Sequence, residues 1–335
     1  MKQMLRNVRR WILERQPNRV LLYLENRVKN PDLRGYIQQI RLNKFICKTD
    51  FSKLEVSAMP VCSIQKGQWD YPLFQMCFLN NMIGLCVYCL SCGYRPRVDY
   101  ENSQGKKLWD QFLMQPFAGG GAVDSERKPD RILDIDGASF VLPWFPNEAD
   151  IERYYSVFST IAVWNEQTMQ YFQHDYETVI PKNSRVIGVL CRGTDYTATK
   201  PKYHPIQPEV GEVIDLVKEK MREYHCDYVY LATEEKHITD QFEAVFPGQV
   251  LENKRQYFDS FYELYQKEGE QARIGSVHFE RQDDEYYKSL EYLSSIYILS
   301  KCNLFIGGSA GGSKMAIVLN HNQYEYSYLF NKGFY

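Results

Sequence analysis

The chain has 335 residues, 44% hydrophobic and 24% charged, which suits one large or two ordinary domains and excludes a disordered tail. Against 42 Asp plus Glu there are 40 Lys plus Arg, a net charge of −2, and this balance gives no reason to expect nucleic acid as a partner. The nine cysteines are odd in number and lie mostly inside apolar runs, as thiols do in a reducing, cytoplasmic setting.

Residues 1–45 read as helices rich in Arg and Leu, broken at Asn30-Pro31-Asp32. The basic start is either an ordinary solvated helix or a peripheral contact with an anionic membrane surface. From 46 to 182 the pattern is that of a first α/β domain. Gln75 to Gly84 reads as a turn entering a helix over Leu85–Cys92, and Arg97 begins an extended segment. Cys86, Cys89 and Cys92 recur every third residue on one apolar helix face and read as core. The Gly-rich loop 118–122 leads to an extended run over 132–141. Within it, Asp134 and Asp136 would share one side of a strand and could hold a cation, or Asp136-Gly137 simply turns. Helical spacing covers 150–176, and the turn-rich 178–184 marks a domain boundary.

Residues 183–335 alternate short apolar runs with helices: strands at 185–191, 228–232, 250–251 and 304–306, helices at 209–224, from 237, 286–299 and from 314. The expected fold is α/β, with a parallel sheet flanked by helices. Ligands of such sheets bind beyond the carboxyl ends of the strands. Three segments lie there. Arg192, Gly193, Thr194 and Asp195 follow the first strand, where an arginine forks onto a phosphate or pairs with Asp195. Glu234 and Glu235 follow the second, as acceptors for ribose hydroxyls or as a helix cap. Ser309, Gly311, Gly312 and Ser313 open the last helix and expose amides to an anion. Together they describe a pocket for a nucleotide diphosphate. The 309–313 turn is only loosely like a dinucleotide fingerprint and lies close to Tyr335, so a dehydrogenase is not expected, and no Gly-x-Ser-x-Gly partner accompanies His204.

Ile187 to Asp195 resembles the signature strand and loop of the fucosyltransferase superfamily with two Rossmann-like domains. Tyr203-His-Pro-Ile206, Val229 to Glu235 and Leu299 to Ser309 are similar to segments of its core α-1,6 group. Asn80-Asn81-Met82 and Lys107 to Phe112 are similar to parts of its first domain. The resemblance spans roughly residues 70–320 in order. It implies two Rossmann-like domains facing across a cleft (the GT-B arrangement), with an acceptor side in the first and a nucleotide-sugar site in the second. It implies inverting transfer of fucose from GDP-fucose to a glycan hydroxyl without a cofactor or metal, and surface polysaccharide assembly is the expected setting. Arg192 would neutralise the departing phosphate, Ser309, Gly311 and Ser313 would hold phosphates, Glu234 and Glu235 would face ribose or sugar, and Asn81 would line the donor site. Departures from the family are Leu190, where it carries a histidine, Ser295 near its guanine-reading carboxylate (with Glu291 as a substitute), and Lys200 in place of its proposed basic Glu. Asp195, His204 and Glu209 remain candidates for the base. The rival readings are a metal-dependent sugar transferase using Asp134 and Asp136, and a silent nucleotide- or glycan-binding module.

Overall fold

The computed structural model describes residues 12–118, 128–138, 140, 142–269 and 272–335. The Gly-rich loop and the basic extreme N-terminus, with its membrane-peripheral reading, lie outside the described residues. Among the described residues no helix is long and apolar enough to cross a membrane. The chain divides into two compact units: residues 1–71, 77–141 and 153–164 in the first, and 72–76, 142–152 and 165–335 in the second.

In the first unit, α1 (Asn18–Arg27) and α2 (Pro31–Lys48) pack together and are separated by a short link ending at Asn30, whose side chain accepts from Leu33 N at 2.9 Å, with Pro31 at the first helical position. Leu21, Ile37 and Ile40 give the pair a small apolar cluster of its own, and α2 runs on past the expected end at 45 to Lys48. Arg41 of α2 pairs with Glu25 at 2.7 Å and donates to Ser91 at 2.6 Å, on the helix α3 (Met76–Ser91). A buried arginine needs such partners, and they bind the N-terminal helices into the unit.

The strands β1 (Val61–Ile64), β2 (Arg95–Val98) and β3 (Arg131–Ile132) form a parallel sheet in the order β2-β1-β3. Helix α3 begins at Met76, nine residues before the expected start. Asn80 and Asn81 look like turn residues, but tertiary contacts satisfy their amides: Asn80 accepts from the Tyr154 hydroxyl, and Asn81 accepts from Gln68 N at 3.2 Å and donates to Asp136 O at 3.4 Å. Gly84 on α3 faces the Ala138 carbonyl, which an added Cβ would approach to 2.7 Å. Cys86 and Cys89 are core residues, as their spacing suggested, but Cys92, just past the end of α3, is only half-buried. β3 stops at Ile132, so Asp134 and Asp136 lie off the strand and the shared-face argument for a cation site fails; Asp134 is exposed, 3.6 Å from Arg131.

The second unit carries five parallel strands in the order β6-β5-β4-β7-β8: β4 (Val186–Leu190), β5 (Tyr228–Ala232), β6 (Val250–Leu251), β7 (Leu304–Gly308) and β8 (Tyr326–Phe330). Alternate residues of β4 serve opposite faces. Ile187 and Val189 join Val213, Ile214 and Val217 of α8 (Val210–Glu223) in one cluster. Gly188 faces Leu299 and Cys302 at the end of α11 (Asp284–Lys301), where an added Cβ would sit 3.1 Å from each. The expected boundary at 182 moves to 165, because helix α6 (Glu166–Val179) packs on α11. Phe172 stacks on Tyr297 at 5.3 Å, and Ser294 donates to Asp175. From β4 the chain winds outward through β5 and β6, then returns to the other side of β4 for β7 and β8. The order therefore reverses between β4 and β7.

Candidate functional site

That reversal is the topological switch point, where the loops beyond two neighbouring strands diverge and leave a crevice. The loop after β4 carries Arg192, and the turn after β7 carries residues 309–313. Both belong to the second unit.

Arg192 forms an ion pair with Glu234, which follows β5, and each side chain is 13% exposed. The guanidinium also lies 4.9 Å from the ring centroid of Tyr196, in the short helix α7 (Thr194–Thr199). Glu235 is 1% exposed and works from below the same loop. It accepts from Thr194 N, from the Tyr262 hydroxyl at 2.6 Å, and lies 3.1 Å from His237 Nδ1. A Cβ on Gly193 would overlap the Glu235 carboxylate, so only glycine lets the loop close over it. Thr194 is buried with φ +44°, and its amide is taken by Glu235. Glu234, Glu235 and Thr194 together build and hold the Arg192 loop; Glu234 and Glu235 are the two carboxylates the sequence offered as ribose acceptors or as a helix cap. Strand-end spacing places carboxylates at the crevice but does not say which way they turn. Asp195 lies in α7, and its side chain is outside the described residues.

Helix α12 (Gly311–Asn320) starts directly after β7. Its first intrahelical bond runs from Lys314 N to Ala310 O, so the amides of Gly311, Gly312 and Ser313 open the helix. The serines do not offer their hydroxyl protons: Ser309 donates to Trp144 O at 2.5 Å and Ser313 to Gly308 O at 2.6 Å. With the Ser309 proton given to the Trp144 carbonyl and the Ser313 proton kept within the turn, what this helix start has to offer an anion is main-chain N–H groups. Gln207 completes it, donating to Ser309 O at 3.1 Å and Pro205 O at 3.2 Å.

His204 sits in the loop before α8. Its ring lies 5.1 Å from Trp144 and 5.5 Å from Tyr196, so it bridges the two halves of the crevice. Main-chain bonds to residues 333–335 hold this loop: Tyr203 N to Tyr335 O at 3.2 Å, Tyr335 N to His204 O at 3.1 Å and Ile206 N to Gly333 O at 3.0 Å. Glu209 is committed to the reciprocal cap of α8 with Glu212. Lys200 closes α7 in the left-handed conformation. Glu291 gives both carboxylate oxygens to Arg281, at 2.6 and 3.1 Å, and Ser295 donates to Tyr292 O at 2.7 Å; neither is free to read a base without breaking these bonds. Asn81 belongs to the first unit, where its amide serves the contacts described above.

Sequence reasoning missed Trp144 and Lys314. The ammonium of Lys314 lies 4.0 Å from the Trp144 ring centroid and donates to Leu142 O at 2.9 Å. Burial pushes its pKa down to about 8. The signal available was a tryptophan between two prolines, Pro143 and Pro146, ahead of a helix. Among the described residues no group of three or more His, Cys, Asp or Glu is arranged to hold a metal ion.

No protein-family model matches the chain, and no curated protein does. Solved structures do. The chain is similar to the apo form of POFUT1, with a TM-score of 0.49 at 9% identity over 83% of this chain and 99% of that one. It is similar to fucosyltransferase NodZ from Bradyrhizobium, with a TM-score of 0.43 at 13% identity over 78% and 93%. A NodZ structure described as an α-1,6-fucosyltransferase soaked with GDP-fucose gives the same TM-score and identity over 78% and 92%. Likenesses of this depth decide nothing about activity, which is read from the site.

Proposed function

We propose that the chain is a glycosyltransferase that moves fucose from GDP-fucose to a glycan hydroxyl, with inversion and without a metal. The observation that carries the reading is the pairing of Arg192 and the α12 amides on either side of the β4–β7 switch point. A diphosphate leaving group gathers negative charge as its bond to the sugar breaks. A guanidinium and preorganised amides stabilise that charge in place, the work a divalent cation does elsewhere. The ordered likeness of residues 187–309 to the fucosyltransferase motifs supports fucose and GDP as the donor.

In a single displacement the acceptor oxygen bonds to the anomeric carbon as the bond to the β-phosphate oxygen breaks. The acceptor proton leaves to a base, and the imidazole of His204, held at the crevice between Trp144 and Tyr196, is the group that supports this role. Arg192 starts the cycle paired with Glu234, so the diphosphate takes over a guanidinium that a carboxylate already orients. Surface polysaccharide is the acceptor class we favour, and the cytoplasm the setting.

Calorimetry with GDP and GDP-fucose, followed by an assay of GDP release over a panel of glycan acceptors, tests the reading. Binding with acceptor-stimulated release supports it. Binding with no release or hydrolysis over the whole panel points to the silent binding module, and failure to bind either nucleotide removes the donor site.

A further inference from the structure

The turn after β7 holds a second cation that the reaction scheme leaves unused. Lys314 lies in the first turn of α12, is 5% exposed, and among the described residues makes no ion pair. Its ammonium has two neutral neighbours, the Leu142 carbonyl at 2.9 Å and the Trp144 ring at 4.0 Å. A buried ammonium at the positive end of a helix dipole is an expensive arrangement, and a methionine would fill the space at less cost. What the charge provides is a grip on one segment. Lys314 holds Leu142 and the Trp144 indole from one side, while Ser309 donates to the Trp144 carbonyl at 2.5 Å. The same indole packs on His204.

We propose that Lys314 is a positioning residue of the donor site, tying the Leu142–Trp144 segment to the first turn of α12 and so holding Trp144 against His204. This rests on the donor-site reading above. It assigns the lysine a role through Trp144, with no contact to the substrate.

The ammonium is the form that makes this grip, since a neutral amine loses the cation–π attraction. Burial lowers the pKa from its ordinary 10.5 to about 8, so the grip weakens as pH rises through that value. The groups facing Lys314 are Leu142 O and Trp144 from the 142–144 segment. Beyond the indole come His204 and then Tyr196 and Arg192, and Tyr292 of α11 reaches the helix start near Gly312. Linkage separates local loosening from unfolding. A lysine whose folded pKa lies below its unfolded value makes the fold more stable as pH rises between the two. A loss of turnover across pH 8 is then not a loss of fold from this group.

Two measurements test the proposal. In the ligand-free protein, the emission of wild type minus that of Trp144→Phe is titrated from about pH 6.5 to 9.5, a span around the ordinary lysine shift on burial. The expected transition is centred near pH 8 and is absent from Lys314→Arg, which stays charged. A transition that survives in Lys314→Arg, or none in wild type, overturns the proposal whether or not a nucleotide binds. With GDP-fucose, Lys314→Met should turn over roughly tenfold more slowly near neutral pH with GDP affinity within about threefold of wild type, as expected of misplacement rather than lost binding. Lys314→Arg should stay within about threefold and keep its rate above pH 8, where wild type declines. Wild-type turnover in Lys314→Met, or parallel pH profiles for wild type and Lys314→Arg, also overturns it. Should GDP fail to bind wild type while the emission transition appears, the donor reading fails and the positioning contact stands. The wild-type titration and the arginine variant give an answer even if the methionine variant does not fold.

Discussion

The guanidinium of Arg192 and the carboxylate of Glu234 pair across the ends of two adjacent strands, with each side chain 13% exposed. Removing the arginine has two separable consequences. Turnover depends on the cation itself, so Arg192→Ala should lose about a thousandfold or more in rate. Stability falls because Glu234 is left mostly buried without its partner, by about 2 kcal/mol after allowing for residual solvent. The double variant Arg192→Ala/Glu234→Gln should regain most of that stability and none of the rate. Urea titrations and GDP-release assays on the three proteins check this, and near-normal turnover in either arginine variant would remove Arg192 from the mechanism.

Glu234→Gln alone probes the apo pairing. The carboxylate competes with an incoming diphosphate for the same guanidinium, so neutralising it should tighten GDP binding by about threefold to tenfold while lowering turnover through looser orientation of Arg192. Calorimetry reads the first effect and steady-state kinetics the second. Weaker GDP binding in this variant would mean that Glu234 itself supports the nucleotide.

The contact between Gly193 and Glu235 gives a third test. A methyl group at 193 overlaps a carboxylate that Thr194 N and the Tyr262 hydroxyl both hold, so it cannot swing aside freely. Gly193→Ala should lower turnover by about a hundredfold through displacement of the Arg192 loop, with the fold retained. Tyr262→Phe removes the hydroxyl's bond to Glu235 and its longer one with Thr197 at 3.5 Å, and should cost about 1 kcal/mol of stability with a much smaller effect on rate. Equal effects of the two variants on turnover would argue against the clamp.

These residues also mark the limit of what the sequence discloses. β4, β5 and β7 are legible to within a residue or two because a buried parallel strand is a short continuous apolar run. The position of Arg192 and the 309–313 turn follows from the same pattern. β8 is harder to see: Tyr328 is 41% exposed, and an edge strand lacks the all-apolar signature. The early start of α3 is hidden because Asn80 and Asn81 are turn formers until Tyr154 and Gln68 supply their partners. The hydrogen-bond partners of Glu235 and Ser309 are not legible at all. Spacing fixes which strand end a side chain leaves from, while its partner comes from a distant part of the chain: Trp144 for Ser309, Tyr262 for Glu235.

Gly308 and Gln207 are in direct contact, and a Cβ at 308 would overlap the Gln207 amide oxygen and reach 3.0 Å from Pro208 Cδ. The amide cannot yield, because its nitrogen is fixed by Ser309 O and Pro205 O. Gly308→Ala should therefore destabilise by about 2 kcal/mol, and truncating the obstacle in Gly308→Ala/Gln207→Ala should recover part of it, a coupling of about 1 kcal/mol. Thermal melts of both single variants and the double variant measure that coupling. Strict additivity would show that the overlap is relieved some other way.

Asp284, in the first turn of α11, provides a pH test of the second unit. Burial alone would raise its pKa, but hydrogen bonds from Arg281 and from Phe279 N, with Lys288 at 3.1 Å, outweigh that and hold it below the ordinary 3.8. A depressed carboxylate adds stability that is fully present above its unfolded pKa and is lost as pH falls through the folded one. Asp284→Asn should therefore be less stable than wild type at pH 7, by about 2 kcal/mol for the charged hydrogen bonds removed. The difference should shrink once the pH drops below 3.8, where Asp284 of the unfolded chain takes up its proton while the folded one stays ionised, and should vanish once the pH has passed below the folded pKa as well. Urea denaturation of both proteins at neutral pH and at successive acid steps follows the gap. A gap that persists unchanged to the lowest pH at which both proteins fold would mean that packing, and not the charge on Asp284, holds the Arg281–Lys288 corner together.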